Sequence, residues 1–127
     1  MAQRDERGDE VTRKRRRAER RGHVSEYLAA VFLLLKGYRI LAVRYRTKGG
    51  EIDLIVRKGD VVVFVEVKAR VGEREAIDAV SLFAQKRIRA ASDIWLARRK
   101  DAHRLSQRYD IVAIIPGRLP RHFQDAF

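Results

Sequence analysis

Residues 51–69 read EIDLIVRKGDVVVFVEVKA, and this stretch decides the fold. It contains two runs of strand-forming residues, one on each side of the turn sequence Lys58-Gly59-Asp60. A connection this short predicts that the two strands are antiparallel neighbours. With the turn centred on its last two residues, we expect Asp53 of the first strand to lie beside Glu66 of the second.

The second of these strands carries charge where a buried strand is normally apolar. Alternation puts Val62, Phe64, Glu66 and Lys68 on one face and Val61, Val63, Val65 and Val67 on the other. Apolar residues on both faces are typical of a central strand in a covered sheet. A carboxylate or an ammonium group in such a strand is costly unless it is paired, binds a metal or lines a cleft. The pattern therefore indicates a cleft at Glu66 and Lys68.

The rest of the chain adds two helices and two further strands. The predicted order is a helix, three strands, a second helix and a fourth strand, in segments 23–36, 38–46, 51–57, 61–69, 77–95 and 109–115. A helical crossover between the third and fourth strands predicts that these two are parallel. The sequence thus predicts an α/β fold, in which a mixed sheet (an antiparallel three-strand meander plus a parallel fourth strand) is flanked by two main helices.

The first predicted helix is apolar on nearly every side. Its large apolar residues recur at steps of three and four and are Val24, Tyr27, Leu28, Val31, Phe32 and Leu35. Further apolar positions between them are Ala29, Ala30, Leu33 and Leu34. We therefore expect this helix to be well buried and to end at Lys36-Gly37.

Composition divides the chain into three regions. Residues 1–22 are predicted to form a basic, flexible N-terminal arm, residues 23–117 the folded domain, and residues 118–127 an extended C-terminal tail. The arm contains the run RKRRRAERR at 13–21. Such a run either binds phosphate groups or only keeps the chain solvated, and the sequence leaves both interpretations open.

The net charge indicates the class of partner. Lys and Arg number 29 and Asp and Glu number 17, which gives +12 at pH 7. A charge of this size predicts a polyanionic partner, with nucleic acid first and an anionic membrane surface second. We expect no membrane partner, because the sequence suggests no amphipathic helix with an exposed apolar face. The longest apolar run, 27–35, is also too short to span a bilayer.

Cysteine content and the N-terminal composition indicate the compartment. The chain has no cysteine, which excludes disulfides, cysteine-ligated metal sites and cysteine nucleophiles. No signal peptide is evident among the first 22 residues, because they are nearly devoid of large apolar side chains. We therefore expect a soluble cytoplasmic protein.

Asp53, Glu66 and Lys68 together suit one kind of chemistry. Two neighbouring carboxylates bind a hard divalent cation such as Mg²⁺ or Mn²⁺, which lowers the pKa of its bound water. A lysine beside them stabilises charge on phosphoryl oxygens. Metal-dependent phosphodiester hydrolysis is therefore one interpretation. The alternative is a plain ion pair between Glu66 and Lys68 on a half-exposed sheet, with Asp53 as a neighbour.

Longer motifs around these residues resemble those of a known family. They are GGEIDLI at 49–55, VFVEVKAR at 63–70, GYRIL at 37–41 and RYDIV at 108–112, and the tail from Pro120 adds a further similarity. Over roughly residues 22–115 the chain resembles the YraN-type family of small uncharacterised bacterial proteins. That family is similar to the PD-(D/E)XK, or restriction-endonuclease-like, superfamily, and within it to archaeal Holliday junction resolvases.

The resemblance implies a restriction-endonuclease-like core and a set of catalytic residues. By position, Asp53, Glu66 and Lys68 match the acids and the lysine of the PD-(D/E)XK motif, and Glu26 matches an acidic residue of the first helix. The backbone carbonyl of Val67 would join Asp53 and Glu66 in binding Mg²⁺ or Mn²⁺. The implied activity is endonucleolytic cleavage of DNA, with branched DNA among the substrates. Resolvases of this fold act as dimers, so a homodimer is an open alternative.

Some positions depart from the family's pattern or are ambiguous. Arg44 stands where relatives usually have Asn, and Ile52 stands where the motif has Pro. Gln85 and Lys86 are both candidates for a helical residue directed at the site. The basic residues that we expect to contact nucleic acid are Arg15, Arg16, Arg17, Arg44, Arg46, Lys48, Arg70 and Lys86.

A second class of function fits the same charge. A module that keeps the nuclease fold but performs no chemistry would also use the basic arm and surface, because function belongs to the site and not to the fold. Steep salt dependence of DNA binding without cleavage in any divalent cation would favour this binding module.

Overall fold

In the described part of the chain, a five-stranded sheet lies between helices on its two faces. The computed structural model describes residues 6–127, including the side chains there except those at positions 6, 18, 19 and 21. Its elements in chain order are helix α1 (Glu6–Leu35), strands β1 (Arg39–Arg46), β2 (Glu51–Lys58) and β3 (Val61–Ala69), helices α2 (Glu73–Asp78) and α3 (Leu82–Ala97), a 3₁₀ turn (Ala102–Arg104), and strands β4 (Ser106–Ile114) and β5 (Arg121–Phe123).

The sheet has the predicted topology. The strands are arranged in the order β1-β2-β3-β4-β5, with β3 parallel to β4 and the other neighbours antiparallel. The predicted α/β class, with a three-strand meander and a parallel fourth strand, is confirmed. Gly59 has a φ of +61°, which glycine adopts readily, and the turn sets Leu54 opposite Val65. This is the register expected from the sequence.

Strand β3 is covered on both faces, as its apolar sequence predicted. Phe64 belongs to a core cluster with Trp95 of α3, and the two ring centroids are 5.8 Å apart in an edge-to-face arrangement. On the opposite face Val63 packs in a second cluster with Ala29 and Leu33 of α1. Full burial of one such side chain contributes about 1.5–3 kcal/mol, so the two clusters fix the position of β3.

Two helices differ in extent from the sequence-based expectation. Helix α1 begins at Glu6 and not near residue 23, so the basic run lies within the helix. Arginine and lysine are good helix formers, and a Glu10–Lys14 pair at 3.7 Å adds weak support one turn apart. The predicted second helix is two helices, because Ser81 caps the start of α3 by accepting a hydrogen bond from the N–H of Ala84 at 3.1 Å.

The expectation that the first helix is well buried is wrong. A helix lying on a sheet contacts it with one face, and in α1 that face contains Ala29 and Leu33, which are 0% and 1% exposed. The outward side chains of Tyr27 and Leu35 are 73% and 83% exposed. The expectation that no amphipathic helix exposes an apolar face is therefore wrong as well. No helix within residues 6–127 is both long and apolar enough to cross a membrane.

A buried carboxylate attaches the C-terminal segment to the sheet. Asp110 of β4 is fully buried and accepts two hydrogen bonds from Arg108, at 2.9 and 2.8 Å, and one from the N–H of Asp125 at 2.9 Å. His122 of β5 contacts the same carboxylate through Nε2 at 2.6 Å. Because the Lys36 ammonium, which can only donate, lies 2.7 Å from Nδ1 of His122, Nε2 carries the proton and donates it to Asp110.

These bonds determine the charge state of Asp110. Burial alone would raise the pKa of this carboxyl, but the hydrogen bonds from His122, Arg108 and the N–H of Asp125 outweigh burial and lower it. A carboxyl whose pKa is lower in the folded than in the unfolded protein stabilises the fold above its ordinary pKa, and this stabilisation is lost as the pH falls through the folded-state value. Asp110 therefore contributes to stability at neutral pH.

We expect Asp110→Asn to lower the free energy of unfolding at pH 7 by roughly 3 kcal/mol, because it leaves Arg108 without its carboxylate partner. The variant should also lose less stability than the wild type between pH 5 and pH 2, a window set by the lowered pKa of Asp110. Urea denaturation across this pH range measures both effects. Asp93→Asn, the same change at an exposed position of α3, is the matched control. Equal unfolding curves for the two variants at pH 7 would contradict this role of Asp110.

Candidate functional site

Asp53 occupies a break in the sheet. On the β1 side, Ile52 and Leu54 of β2 have partners but Asp53 between them has none. On the β3 side, the pairing ends at Leu54, one residue after Asp53. Asp53 is therefore unpaired on both sides. Oδ2 of Asp53 instead accepts a hydrogen bond from the backbone N–H of Val67 at 2.8 Å. The carboxylate thus takes the place of a backbone acceptor at the point where β2 and β3 separate.

The residues adjacent to Asp53 in the chain show that side-chain alternation is interrupted in β2. Ile52 and Ile55 both pack in the core cluster beneath α3, whereas Leu54 packs in the cluster beneath α1. Regular alternation would put the two isoleucines on opposite faces, so the alternation is interrupted between them. This interruption lets Asp53 line the same cleft as Glu26 of α1.

Glu66 and Lys68 lie two residues apart at the same end of β3. Lys68 Nζ is 3.3 Å from Oε1 of Glu66, and their side chains are 24% and 12% exposed respectively. Glu66 and Asp53 line the same cleft, and the negative charge of Glu66 acts on Asp53, so the two carboxyl groups are neighbours. The sequence-based expectation that Asp53 and Glu66 lie side by side is met by this geometry.

Glu26 approaches the pair from α1. Its Oε2 lies 2.8 Å from Nη1 of Arg44, and its side chain is 13% exposed. Arg44 has a left-handed backbone conformation, with φ +49°, which is uncommon for a residue other than glycine. Arg44 thus neutralises much of the charge of the acidic residue on the first helix. The charge of Glu26 still contributes to raising the pKa of Asp53.

Burial and mutual repulsion control the protonation of the carboxyl pair. Burial, followed by the negative charge of Glu66, raises the pKa of Asp53 to about 8, and the hydrogen bond from the Val67 N–H only partly opposes this. Burial also raises the pKa of Glu66, against the opposing effect of Lys68. The pair therefore retains a proton at neutral pH, and it has a strong electrostatic preference for added positive charge.

The acidic residues open into a single cleft of about 810 Å³. It lies where the ends of β2 and β3 meet α1, α2 and the end of β4. The lining residues are Gly22, Ser25, Glu26, Asp53, Glu66, Val67, Lys68, Ala69, Arg70, Val71, Glu75, Ile114 and Pro116. The structure thus brings together the predicted catalytic set, Val67 and one predicted nucleic-acid contact, Arg70.

The other residues expected to contact nucleic acid lie outside this lining. Arg44 reaches the cleft only through Glu26, and Arg46 pairs with Glu51 at 3.3 Å. The remaining exposed residues of this set are Lys48 in the β1–β2 turn, Lys86 on α3, and Arg15, Arg16 and Arg17 on α1. Of the two candidates on the second helix, neither lines the cleft, and Gln85 donates a hydrogen bond to the carbonyl of Val80 at 3.3 Å.

Several residues of the cleft were not predicted from the sequence. Gly22 and Ser25 line it from α1 together with Glu26. Residues three or four positions apart share one face of a helix, so the spacing from Gly22 to Glu26 could have indicated Gly22. Glu75 of α2 also lines the cleft. No local pattern indicates Glu75, because its position depends on the packing of α2 against β4, which lies far from it in the chain.

The donor atoms present fit a hard divalent cation. Within residues 6–127, no three His, Asp or Glu side chains are grouped so as to hold an ion, and the third nearby acid, Glu26, is engaged by Arg44. Two carboxylates are nevertheless enough for Mg²⁺ or Mn²⁺, which keeps several waters and accepts phosphate oxygens as further ligands. Asp53 and Glu66 line the same cleft and retain a proton at neutral pH, so a divalent cation that displaces this proton would stabilise the ionised pair.

We expect Glu66→Gln to lower the pKa of Asp53 substantially, because the change removes a neighbouring negative charge and supplies an amide donor. Carboxyl ¹³C chemical shifts followed through a pH titration measure this pKa. Glu51→Gln is the matched control. Glu51 raises the pKa of Glu66 and pairs with Arg46, so its removal should leave the pKa of Asp53 nearly unchanged. An unchanged pKa of Asp53 in Glu66→Gln would show that the two carboxyl groups are not coupled.

Comparison with known proteins identifies relatives of this chain. The model of the uncharacterised protein family UPF0102 matches residues 25–114. A UPF0102 protein of Rhizobium johnstonii is 74% identical over 118 residues, which cover 93% of this chain and 97% of the relative. A UPF0102 protein of Agrobacterium fabrum is 63% identical over 94% of this chain and 98% of the relative.

A third relative, a UPF0102 protein of Sinorhizobium medicae, is 60% identical over 96% of this chain and 98% of its own length. These matches cover nearly the whole of both chains, and they include the segments with Glu26, Asp53, Glu66 and Lys68. They agree with the family resemblance expected from the motifs. The chain therefore belongs to the uncharacterised protein family UPF0102.

Proposed function

We propose that this protein is a metal-dependent nuclease that hydrolyses phosphodiester bonds in DNA at the cleft containing Asp53, Glu66 and Lys68. One observation carries the proposal: two part-buried carboxyl groups from neighbouring strands line one cleft, and a lysine lies 3.3 Å from one of them. If the cleft only held a stabilising ion pair, Glu66 and Lys68 would be sufficient and Asp53 would not be needed. A second acid, held in place by a break in the sheet, leaves negative charge for a bound cation.

The roles of the residues follow from their positions. Asp53 and Glu66 would hold Mg²⁺ or Mn²⁺, with the carbonyl of Val67 as a further ligand. When bound, such an ion lowers the pKa of its water and stabilises charge on the phosphoryl oxygens. Lys68 is part-buried and keeps its ammonium group at the edge of this pair, where it orients a water or neutralises charge on the scissile phosphate.

Glu26 and Arg44 would serve at the margin of the cleft. Glu26 is mostly buried and paired with Arg44 at 2.8 Å, and its negative charge acts on Asp53. The Arg44 side chain forms a salt bridge with Glu26 and is still 38% exposed to solvent. It can therefore contact a phosphate group next to the site.

The basic surface supports nucleic acid as the substrate. Gly22 lines the cleft, and the preceding turns of α1 carry exposed arginines at positions 15, 16 and 17. Arg15 lies seven positions before Gly22 and therefore on the same side of the helix, roughly 10 Å away along its axis, whereas Arg16 and Arg17 lie on other sides. Arg70 lines the cleft itself. DNA, and branched DNA in particular, is the substrate suggested by the resemblance to junction resolvases.

A second candidate is a DNA-binding module without catalysis. The ion pair between Arg44 and Glu26 favours it, because this pair removes a third acid from the set available to a metal ion. The net charge of +12 serves both candidates equally. A steep fall in DNA affinity with salt concentration, with no cleavage in Mg²⁺ or Mn²⁺, would select the binding module.

We expect the protein to cleave branched or linear DNA in Mg²⁺ or Mn²⁺, and Asp53→Asn to reduce the rate by about 10²–10³-fold. Gel-based cleavage assays with both proteins purified in parallel measure the effect. Asp93→Asn on the exposed face of α3 should retain the wild-type rate. Equal cleavage by the wild type and Asp53→Asn would identify a contaminating nuclease and contradict the proposal.

We expect Mn²⁺ alone to bind to the wild type, and Glu66→Gln to weaken this binding at least about tenfold, because one of two charged ligands is lost. Isothermal titration calorimetry measures the dissociation constants. Binding should strengthen from pH 6 to pH 9, since the ion competes with the proton retained by the carboxyl pair. Glu51→Gln should bind like the wild type, and equal affinities for Glu66→Gln and wild type would show that the cleft is not a metal site.

A further inference from the structure

Helix α1 presents a stripe of apolar side chains to solvent. The stripe consists of Val24, Tyr27, Leu28, Val31, Leu34 and Leu35, whose exposed fractions range from 40% to 83%. It lies opposite the face that packs on the sheet, where Ala29 and Leu33 are fully buried. Within residues 6–127, no other element covers the stripe to an extent that would bury these side chains.

The stripe is large enough to form a protein interface. Six large side chains at these exposures offer on the order of 600 Å² on one copy, more than scattered surface residues usually provide. Two copies that pack stripe against stripe would bury about 1,200 Å², which is the lower limit for stable interfaces between proteins. The area is therefore sufficient for a second copy of the same chain.

The spacing of the stripe suits a second helix as its partner. Val24 and Val31, Tyr27 and Leu34, and Leu28 and Leu35 are three pairs separated by seven positions. Any one-sided apolar helix shows this spacing, so the exposed area is what selects the partner. Two such stripes together reach the size of a stable interface, and the same stripe on a second copy supplies the second helix.

We propose that two copies of this chain associate through the α1 stripe, with the two helices antiparallel. An antiparallel pairing would layer Val24 against Leu34 of the partner subunit, and Tyr27 against Val31 of the partner subunit. The proposal concerns the face of α1 that points away from the sheet. It is therefore independent of the metal and of the nuclease activity proposed above.

Charge determines the direction of pairing. Arg13, Arg16, Arg17 and Arg20 continue the stripe toward the start of α1 at the same helical spacing, and all are exposed. A parallel pair would place these four arginines against the same four of the second copy, which is strongly repulsive. An antiparallel pair directs the two arginine groups to opposite ends of the dimer and leaves them accessible.

Analytical ultracentrifugation of the full chain tests the association. We expect a monomer–dimer equilibrium in which Val31→Glu and Leu34→Glu each weaken dimerisation at least about a hundredfold, since each buries an unpaired carboxylate. Both positions are at least 40% exposed, so the variants should keep the wild-type circular dichroism and melting temperature. Leu82→Glu, at a 75% exposed leucine on α3, is the matched control and should dimerise like the wild type.

The dependence of affinity on salt concentration distinguishes this dimerisation from binding to a polyanion. Dimerisation should strengthen as NaCl increases, because screening reduces repulsion between two chains of charge +12. Binding to DNA or to anionic vesicles should weaken over the same range. A parallel experiment with phosphatidylserine-containing vesicles therefore reports whether the stripe instead takes a lipid surface.

Cysteine crosslinking tests the direction, since the chain has no cysteine of its own. An equimolar mixture of Val24→Cys and Leu34→Cys proteins should form a disulfide-linked heterodimer under mild oxidation. Val24→Cys alone should not, because the two copies of residue 24 are about 15 Å apart along antiparallel helices and a disulfide requires Cβ atoms within about 4 Å. Crosslinking of Val24→Cys alone would overturn the antiparallel arrangement.

Three results would overturn the association itself. The first is a protein that remains monomeric at every concentration and salt level. The second is a dimer that Val31→Glu and Leu34→Glu leave intact. The third is a monomer that binds anionic vesicles through the stripe, with loss of binding in Val31→Glu. None of these outcomes would alter the cleavage or Mn²⁺ measurements, so the two proposals can fail separately.

Discussion

Placing two carboxyl groups in one part-buried cleft is the constraint on which the site depends. Each carboxylate that leaves water carries a desolvation cost of several kcal/mol, and two ionised neighbours would also repel each other. The protein compensates by local means: a backbone N–H from Val67, an ammonium group from Lys68 and an interruption of the sheet at Asp53. These groups are held in position by β3, which is fixed because both of its faces are packed in the core.

Helix α1 combines functions that a larger protein would divide among several elements. One face contributes Ala29 and Leu33 to the core, and Glu26 on an adjacent side reaches the cleft. The earlier turns carry the basic run, and the outward face carries the apolar stripe. A helix of 30 residues is about 45 Å long, so charge far from the core is still held in a fixed direction relative to the acids. The position of α1 therefore links the site to the surfaces around it.

Local patterns in the sequence were sufficient to predict the fold class and the register of β2 on β3. The turn at Gly59 and the alternation of valines act within a few residues, and no distant contact overrides them. The break at Asp53 and the pairing of Glu26 with Arg44 were not predictable, because each depends on segments that meet only after folding. The extent of burial of α1 was also misjudged, since apolar composition alone does not reveal how many faces of a helix find a partner.

The attachment of the C-terminal segment makes the last few residues a condition for the packing of β4. The carboxylate of Asp110 contacts His122 and accepts a hydrogen bond from the N–H of Asp125, which lie 12 and 15 positions after it. Without these partners Arg108 of the same strand would remain as a donor, and the carboxylate would need water in their place. Proteolytic loss of a short C-terminal stretch would therefore open this edge of the sheet to solvent.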